Sequence, residues 1–321
     1  MSDRANGRFG HQVVGGHVDY DAAAYYEPLL GIPASMQYIY GSLRSEAGSY
    51  YWPIRGLYAD RTRHLHLSES KDGGEFVYAP EGEAAYDGPV EKQGGPNAGA
   101  RSPDGKAFLF ETDGNTLRYI EEGCIDLTAE VVGRTTQFHA PDAECPLIYT
   151  STVIRTTEAT VKGEEVSGIL FYDALHLPEG VSWVTSPYYA DLQAAWVAFI
   201  TEFDDGNLAF GHLVHGVDGF NVLLTQRTDG DPMVSRSFAT EVTLEGPDEF
   251  PHSVRYLAND SDQVWRWDAL PVSRMPVRKD LVEGHRWRQG VVTPEGETRA
   301  VTRSEGLMET YNSRLIAPER I

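Results

Sequence analysis

From Met36 onward the chain alternates short apolar and aromatic runs with turn residues, and it almost never repeats apolar residues at helical spacing. MQYIYGSL, SYYWPIRGLY and RHLHLSE open the series, rich in Tyr, Ile, Trp and Leu, with Gly, Ser and Asp between them. KAFLFE and TLRYIEE flank Asp113-Gly114-Asn115, a hairpin signature. CIDLTAEVVG, LIYTSTVIRTTEATV, FNVLLTQ, SFATEVTLEG, SVRYLAND and QVWRWDAL follow. The last segment, HRWRQGVVTPEGETRAVTRSEGLMETY, reads as two long strands around Pro294-Glu295-Gly296-Glu297. Roughly sixteen strands so spaced predict antiparallel sandwiches or barrels, and no repeat of blade length supports a propeller. The pattern therefore predicts an all-β chain with two consecutive antiparallel barrels. A lead-in covers residues 1–35, with one short helix over 21–30. The barrels cover 36–165 and 166–321. Residues 70–104, crowded with Gly and Pro, read as a long loop or as loops around a short strand at Phe76-Val77-Tyr78, the kind of segment that acts as a lid or binding loop.

One stretch, residues 168–216, concentrates acids, histidines and aromatics on expected strands. If Asp205-Gly206 is a two-residue turn, Glu202 faces Ala209, Phe199 faces His212 and Trp196 faces His215. Alternation then puts Trp196, Glu202 and His215 on one face and His212 on the other, and a slip of one residue exchanges the two histidines. Strand spacing of three separates His212 from His215 and argues against a metal pair. His64 and His66 share a face but lack a third ligand, so no metal is expected. Glu202, on an otherwise apolar face, is either a desolvated acid–base residue or a turn-proximal side chain that reaches water. Asp173 stands where an apolar run ends, beside His176 and before the loop carrying Trp183, Tyr188 and Tyr189. It suits either proton transfer or the capping of a turn. In the last hairpin, a turn at Glu295-Gly296 sets Arg286 against Glu305 and, less favourably, Arg288 against Arg303. His17, His139 and His252 fall in expected loops.

Composition narrows the partners. With 48 acids against 27 bases the formal charge is −21, which disfavours nucleic acid and anionic membrane surfaces. No apolar run is long enough to span a membrane, and the N-terminus shows no apolar signal core. Cys124 and Cys145 are too few for a disulfide framework and read as reduced thiols of a cytoplasmic protein. No GxSxG elbow, P-loop or GxGxxG after a strand is present, which argues against nucleotide hydrolysis and dinucleotide redox chemistry. Oligomeric state is not encoded in any pattern here.

Gly168 with Tyr172-Asp173, the strand from Trp196 to Asp205-Gly206, and the terminal WRQGVVTPEGETRAVTRSEGLMETY together resemble the tandem lipocalin-like family of carotenoid 1,2-hydratases, kievitone-hydratase-type proteins and lipocalin-like pericyclases. The resemblance departs where those hydratases carry Asp-His-Glu-Trp, since this chain reads Asp173-Ala-Leu-His176. It implies two lipocalin-like β-barrels and cofactor-free proton-transfer chemistry, by hydration or dehydration, isomerisation or cyclisation, on a hydrophobic terpenoid or polyketide-like molecule. Under it Asp173 is the general acid, His176 or His212 relays the proton and Glu202 stands in reserve. Tyr172, Trp183, Tyr188, Tyr189, Trp196 and His215 shape the substrate pocket. A non-catalytic carrier of hydrophobic ligands is the alternative, and a carbohydrate-active enzyme with paired carboxylates a third.

Overall fold

The computed structural model describes residues 14–311 except 64, 141, 143, 217–219, 246–249 and 277–284. Its first strands are β1 (Val14–Val18), β2 (Ala34–Arg44), β3 (Ser49–Tyr58), β4 (His66–Lys71), β5 (Val77–Tyr78), β6 (Glu91–Gln93) and β7 (Gly99–Arg101). There follow β8 (Phe108–Asp113), β9 (Thr116–Glu121), β10 (Ile125–Ala140), β11 (Leu147–Val161), β12 (Glu164–Glu165) and β13 (Ser167–His176). The later strands are β14 (Ala195–Phe203), β15 (Leu208–His215), β16 (Asn221–Arg227), β17 (Met233–Ser235), β18 (Phe238–Glu245), β19 (Phe250–Ala258), β20 (Val264–Arg274), β21 (His285–Pro294) and β22 (Val301–Tyr311). Two four- or five-residue helices, α1 (Pro80–Ala84) and α2 (Tyr188–Asp191), and a 3-10 turn at Ala22–Tyr25 complete the described secondary structure.

Both sheets follow one plan. In the first the order is β5-β4-β3-β2-β13-β11-β10-β9-β8-β7-β6, and in the second β17-β16-β15-β14-β22-β21-β20-β19-β18. Along these paths each is an antiparallel meander in which β13 returns to β2 and β22 to β14, with breaks after β5 and after β17; outside the first path β1 pairs with β10 and β12 with β11. This gives two lipocalin-like barrels. The close approach of β2 and β13 depends on glycine: a β-carbon on Gly168 would overlap the Ser42 carbonyl oxygen, and one on Gly41 would lie 2.5 Å from Leu170 Cα. Alternation sends Ile39, Leu170, Tyr172 and Ile154 into the first core, and Val197, Phe199, Trp267 and Met308 into the second.

The first core also encloses an ion pair. The Arg55 Nε and Nη2 groups each donate to Glu121 at 2.5 Å, the Tyr119 hydroxyl adds a bond of 2.9 Å, and both charged side chains are fully buried.

Several expectations change. The strand carrying Asp173, expected to open the second barrel, instead closes the first, hydrogen-bonded between β2 and β11. Among the described residues, the two compact units accordingly divide after Trp183, with 17–183 in one and those beyond 183 in the other. The central hairpin turns through three residues: Gly206, at φ +80°, donates to the Phe203 carbonyl, and Phe203 donates to Asn207. That single extra residue pairs Ala198 with His212 and Ala195 with His215, exchanging the expected faces of the two histidines. In the last hairpin Arg286 faces Thr310 and Arg288 faces Met308, because the connection after Pro294 is longer than a tight turn. His17, His139 and His252 lie on β1, β10 and β19 rather than in loops. Residues 70–104 hold the expected short strand, as β5, together with α1, β6 and β7, in place of one long loop. His64 lies outside the described residues.

Candidate functional site

β13 alternates across its sheet, so Tyr172 and Asp173 point to opposite sides. Tyr172 enters the first core, stacked on Tyr25 at 4.1 Å between ring centroids and against Phe110 at 4.6 Å. Asp173 lies on the other face, paired across the ladder with Ser151 of β11 and Tyr38 of β2 and flanked by Phe171 and Leu175. That face is buried as well, and Asp173 is 3% exposed. The Ser151 hydroxyl donates to Oδ1 and the Tyr149 hydroxyl to Oδ2, each at 2.5 Å, and Tyr40 contributes a third hydroxyl. Tyr149 is itself held by stacking on Phe138 at 4.9 Å, and Tyr40 by stacking on Phe171 at 5.2 Å. Burial raises the Asp173 carboxyl from 3.8 to about 7, and the Ser151, Tyr149 and Tyr40 hydroxyls, which favour the ionised form, only partly oppose it. A carboxyl so placed holds or releases a proton near neutral pH.

The other expected residues scatter. His176, fully buried, shares the side of β13 that carries Tyr172, and its Nε2 meets the Glu27 carbonyl at 3.1 Å. Burial lowers its pKa, which favours a neutral ring that tethers the lead-in. Asp173 and His176 are thus separated by the thickness of the sheet and form no relay. Trp183 is nearly buried, and its backbone N–H donates to Met36 Sδ at 3.0 Å, on the first unit's side of the division. Tyr188, Tyr189, Trp196, Glu202, His212 and His215 all belong to the second unit. There Trp196 meets His212 edge to face at 5.5 Å, on the side of β14 away from the core. His215 turns towards the core and Phe238, with Nδ1 on Asn221 at 3.1 Å. Tyr188 is buried, and Tyr189 packs at 5.5 Å from His285. Glu202 sits at the hairpin end, half-buried and across from Arg303.

The fold has counterparts among solved structures. CghA superposes over 94% of this chain and 98% of its own at a TM-score of 0.52 and 10% identity. An AttH candidate from Nitrosomonas europaea does so over 92% and 97% at 0.50 and 14%. The chain shares their tandem lipocalin-like barrel fold. Kievitone hydratase from Nectria haematococca covers 91% of this chain and 93% of its own at a TM-score of 0.44 and 11% identity. No protein-family model matches the chain, and no curated protein matches it by sequence.

Within this fold the residues around Asp173 come from three non-adjacent segments, and only one of them stood out in sequence. Tyr149 and Ser151 sit two apart in LIYTSTV, and strand alternation alone puts them on one face. Which strand lies beside that face was not readable, so their convergence on Asp173 was missed. A second missed group surrounds His285 on β21, whose ring is boxed by Tyr189, Trp287 and Tyr311 at 5.1–5.6 Å. Glu309 is 3.8 Å from that ring and is held by Gln193 at 3.0 Å. Among the described residues, no three His, Cys, Asp or Glu side chains are grouped as a metal would need, and no helix is long and apolar enough to cross a membrane. Cys124 and Cys145 are both buried.

Proposed function

We propose that the chain is a cofactor-independent enzyme that moves a proton on a hydrophobic small molecule of terpenoid or polyketide type, with Asp173 as the acid. The observation that carries this reading is the buried carboxyl raised to about 7 and held by two hydroxyl donors among aromatic side chains. A general acid works best when its pKa lies near the working pH. Tyr149 and Ser151 each engage one carboxyl oxygen, which fixes the group's plane and leaves further lone pairs to carry the transferable proton. Protonated Asp173 gives that proton to an alkene carbon or to a carbonyl oxygen of the substrate. The resulting carboxylate is stabilised by the same hydroxyls until it recovers a proton from the product-forming step. Phe171, Tyr40 and Phe138 supply apolar, π-rich surroundings that tolerate a developing cation.

Hydration or dehydration, isomerisation and cyclisation all fit this step, and the resemblance to hydratases and pericyclases supports the class. His176 takes no part in the transfer. Trp183 serves as a wall of the same barrel. The test is turnover of candidate terpenoid and polyketide substrates by wild type and Asp173→Asn. Loss of about 10²-fold or more in kcat with retained substrate binding supports the acid role. Unchanged kcat removes it.

A further inference from the structure

The face of the first sheet that carries Asp173 is closed on one side and open on the other. Towards β11 and β10 its neighbours Ser151, Tyr149, Thr136 and Phe138 are all buried. Towards β3 the face opens. Asp173 pairs with Tyr38 of β2, and Tyr38 pairs with Gly56 of β3. Alternation puts Ile54 and Tyr58, two residues either side of Gly56, on the same face. Tyr38, Ile54 and Tyr58 are only half-buried, so solvent reaches this part of the sheet. Glycine at 56 lets two rings converge, since a β-carbon there would lie 3.3 Å from the rings of both Tyr38 and Tyr58. The result is an aromatic shelf that leads from solvent to the buried acid.

A cation stands at the outer end of that shelf. The Arg63 guanidinium lies over the Tyr58 ring, 4.7 Å from its centroid, and Arg63 is exposed. The segment that carries it is pinned on both sides. Tyr58 donates its backbone N–H to the Arg61 carbonyl at 2.8 Å, Thr62 donates to the Gly88 carbonyl at 2.9 Å, and the Arg63 carbonyl accepts from the buried Arg55 guanidinium. Neighbouring Arg61 meets Asp87 at 3.3 Å, whereas no carboxylate lies within ion-pair distance of Arg63 among the described residues. Stacking on Tyr58 engages the flat face of the guanidinium and leaves the N–H donors around its edge open. The chain has 48 acids that could have paired with this arginine. A guanidinium fixed on an aromatic ring and kept clear of them is open to an anion from outside the chain.

We propose that the substrate carries a carboxylate or enolate at one end, that Arg63 binds this group, and that the apolar body lies along Tyr58 and Tyr38 with the reacting atom at Asp173. The proposal deepens the proton-transfer reading and rests on it for what happens at Asp173. β13 and β3 are two strand spacings apart, roughly 10 Å, which sets the length of the body between the anionic group and the reacting atom. Arg63 is then a specificity residue. It selects acids over neutral molecules of the same shape and takes no part in the proton transfer.

The experiment is an NMR titration of the full chain, labelled at the aspartate carboxyl carbons, at low salt. The probes are sodium para-phenylbenzoate, long enough to span that distance, and para-phenylbenzyl alcohol as its neutral counterpart. Wild type binds the acid about tenfold more tightly than the alcohol, and the Asp173 resonance moves with either probe. Arg63→Gln loses that preference and keeps its affinity for the alcohol, and Arg63→Lys retains part of it. Arg101→Gln, at an exposed arginine of β7, leaves the preference whole. Added salt weakens it. Absence of acid binding by wild type overturns the proposal, as does Arg63→Gln, folded by circular dichroism, that still prefers the acid. So does an equal loss with Arg101→Gln, or binding that leaves the Asp173 resonance unmoved. Unchanged kcat in Asp173→Asn beside an intact Arg63 preference removes the acid role and leaves the anion site standing, so the two readings fail separately.

Discussion

Replacing Asp173 by Asn isolates the energetic consequence of burying that carboxyl. Each tenfold change in proton affinity is worth about 1.4 kcal/mol. Raising the group from 3.8 to about 7 thus costs the folded state roughly 4 kcal/mol once the carboxyl is ionised. The sign follows from proton binding. Between these two values the native state holds the proton and the unfolded chain has released it, so stability falls as pH rises from about 4 to about 7 and levels above. Asparagine keeps the shape and a hydrogen-bonding group for Tyr149 and Ser151 but has no proton to lose. The variant should match wild type within about 1 kcal/mol near pH 4, and exceed it by about 2–4 kcal/mol at pH 8. The lower bound allows for hydroxyl bonds that fit an amide less well than a carboxylate. Urea unfolding at pH 4, 5, 6, 7 and 8 measures the difference directly. Parallel pH profiles for the two proteins would refute the reasoning, since they would mean that Asp173 titrates alike in folded and unfolded chains.

Other substitutions test separate links. Tyr149→Phe removes a hydroxyl bond to the ionised carboxyl worth about 1.5–3 kcal/mol, so the alkaline limb of a pH–rate profile should move up by at least about one pH unit. A profile that stays in place shows that Tyr149 does not tune Asp173. Gly168→Ala drives a methyl into the Ser42 carbonyl at the closing pair of strands and should cost about 3 kcal/mol in urea unfolding; a cost under about 0.5 kcal/mol contradicts the tight β2–β13 approach. Arg55→Met strands a buried Glu121 charge and should destabilise by about 3–5 kcal/mol, while Arg55→Met with Glu121→Leu recovers most of that loss. Equal losses in the single and double variants would argue against the pair.

How much of this was legible beforehand depended on the range of the interactions. Strand identity came through because alternation and turn residues are local, and runs such as KAFLFE and TLRYIEE carry their own pairing at Asp113. Resemblance added that the strands close into two lipocalin-like barrels, while the boundary drawn from the strand pattern gave β13 to the second, and β13 pairs with β2 and β11 of the first. A fully buried strand such as GILFYDALH reads the same whichever sheet receives it. The hairpin register failed on one residue: Asp-Gly signals a two-residue turn, and here Asp204-Asp205-Gly206 makes a three-residue one. Asp173 was visible as an acid at the end of an apolar run. Its partners were not, because Tyr149, Ser151 and Tyr40 reach it only across ladders formed with segments more than twenty residues away. His176 looked like Asp173's neighbour for the opposite reason, since closeness along a strand is not closeness across a sheet.

The proposed proton transfer requires that Asp173 keep its proton to near neutrality inside the folded chain. The most direct measurement is a ¹³C NMR titration of protein labelled at the aspartate carboxyl carbons, with Asp173→Asn used to assign the resonance. One aspartate signal, absent from the variant, should move with a midpoint near pH 7. A signal assigned to Asp173 that titrates near pH 4 would contradict it.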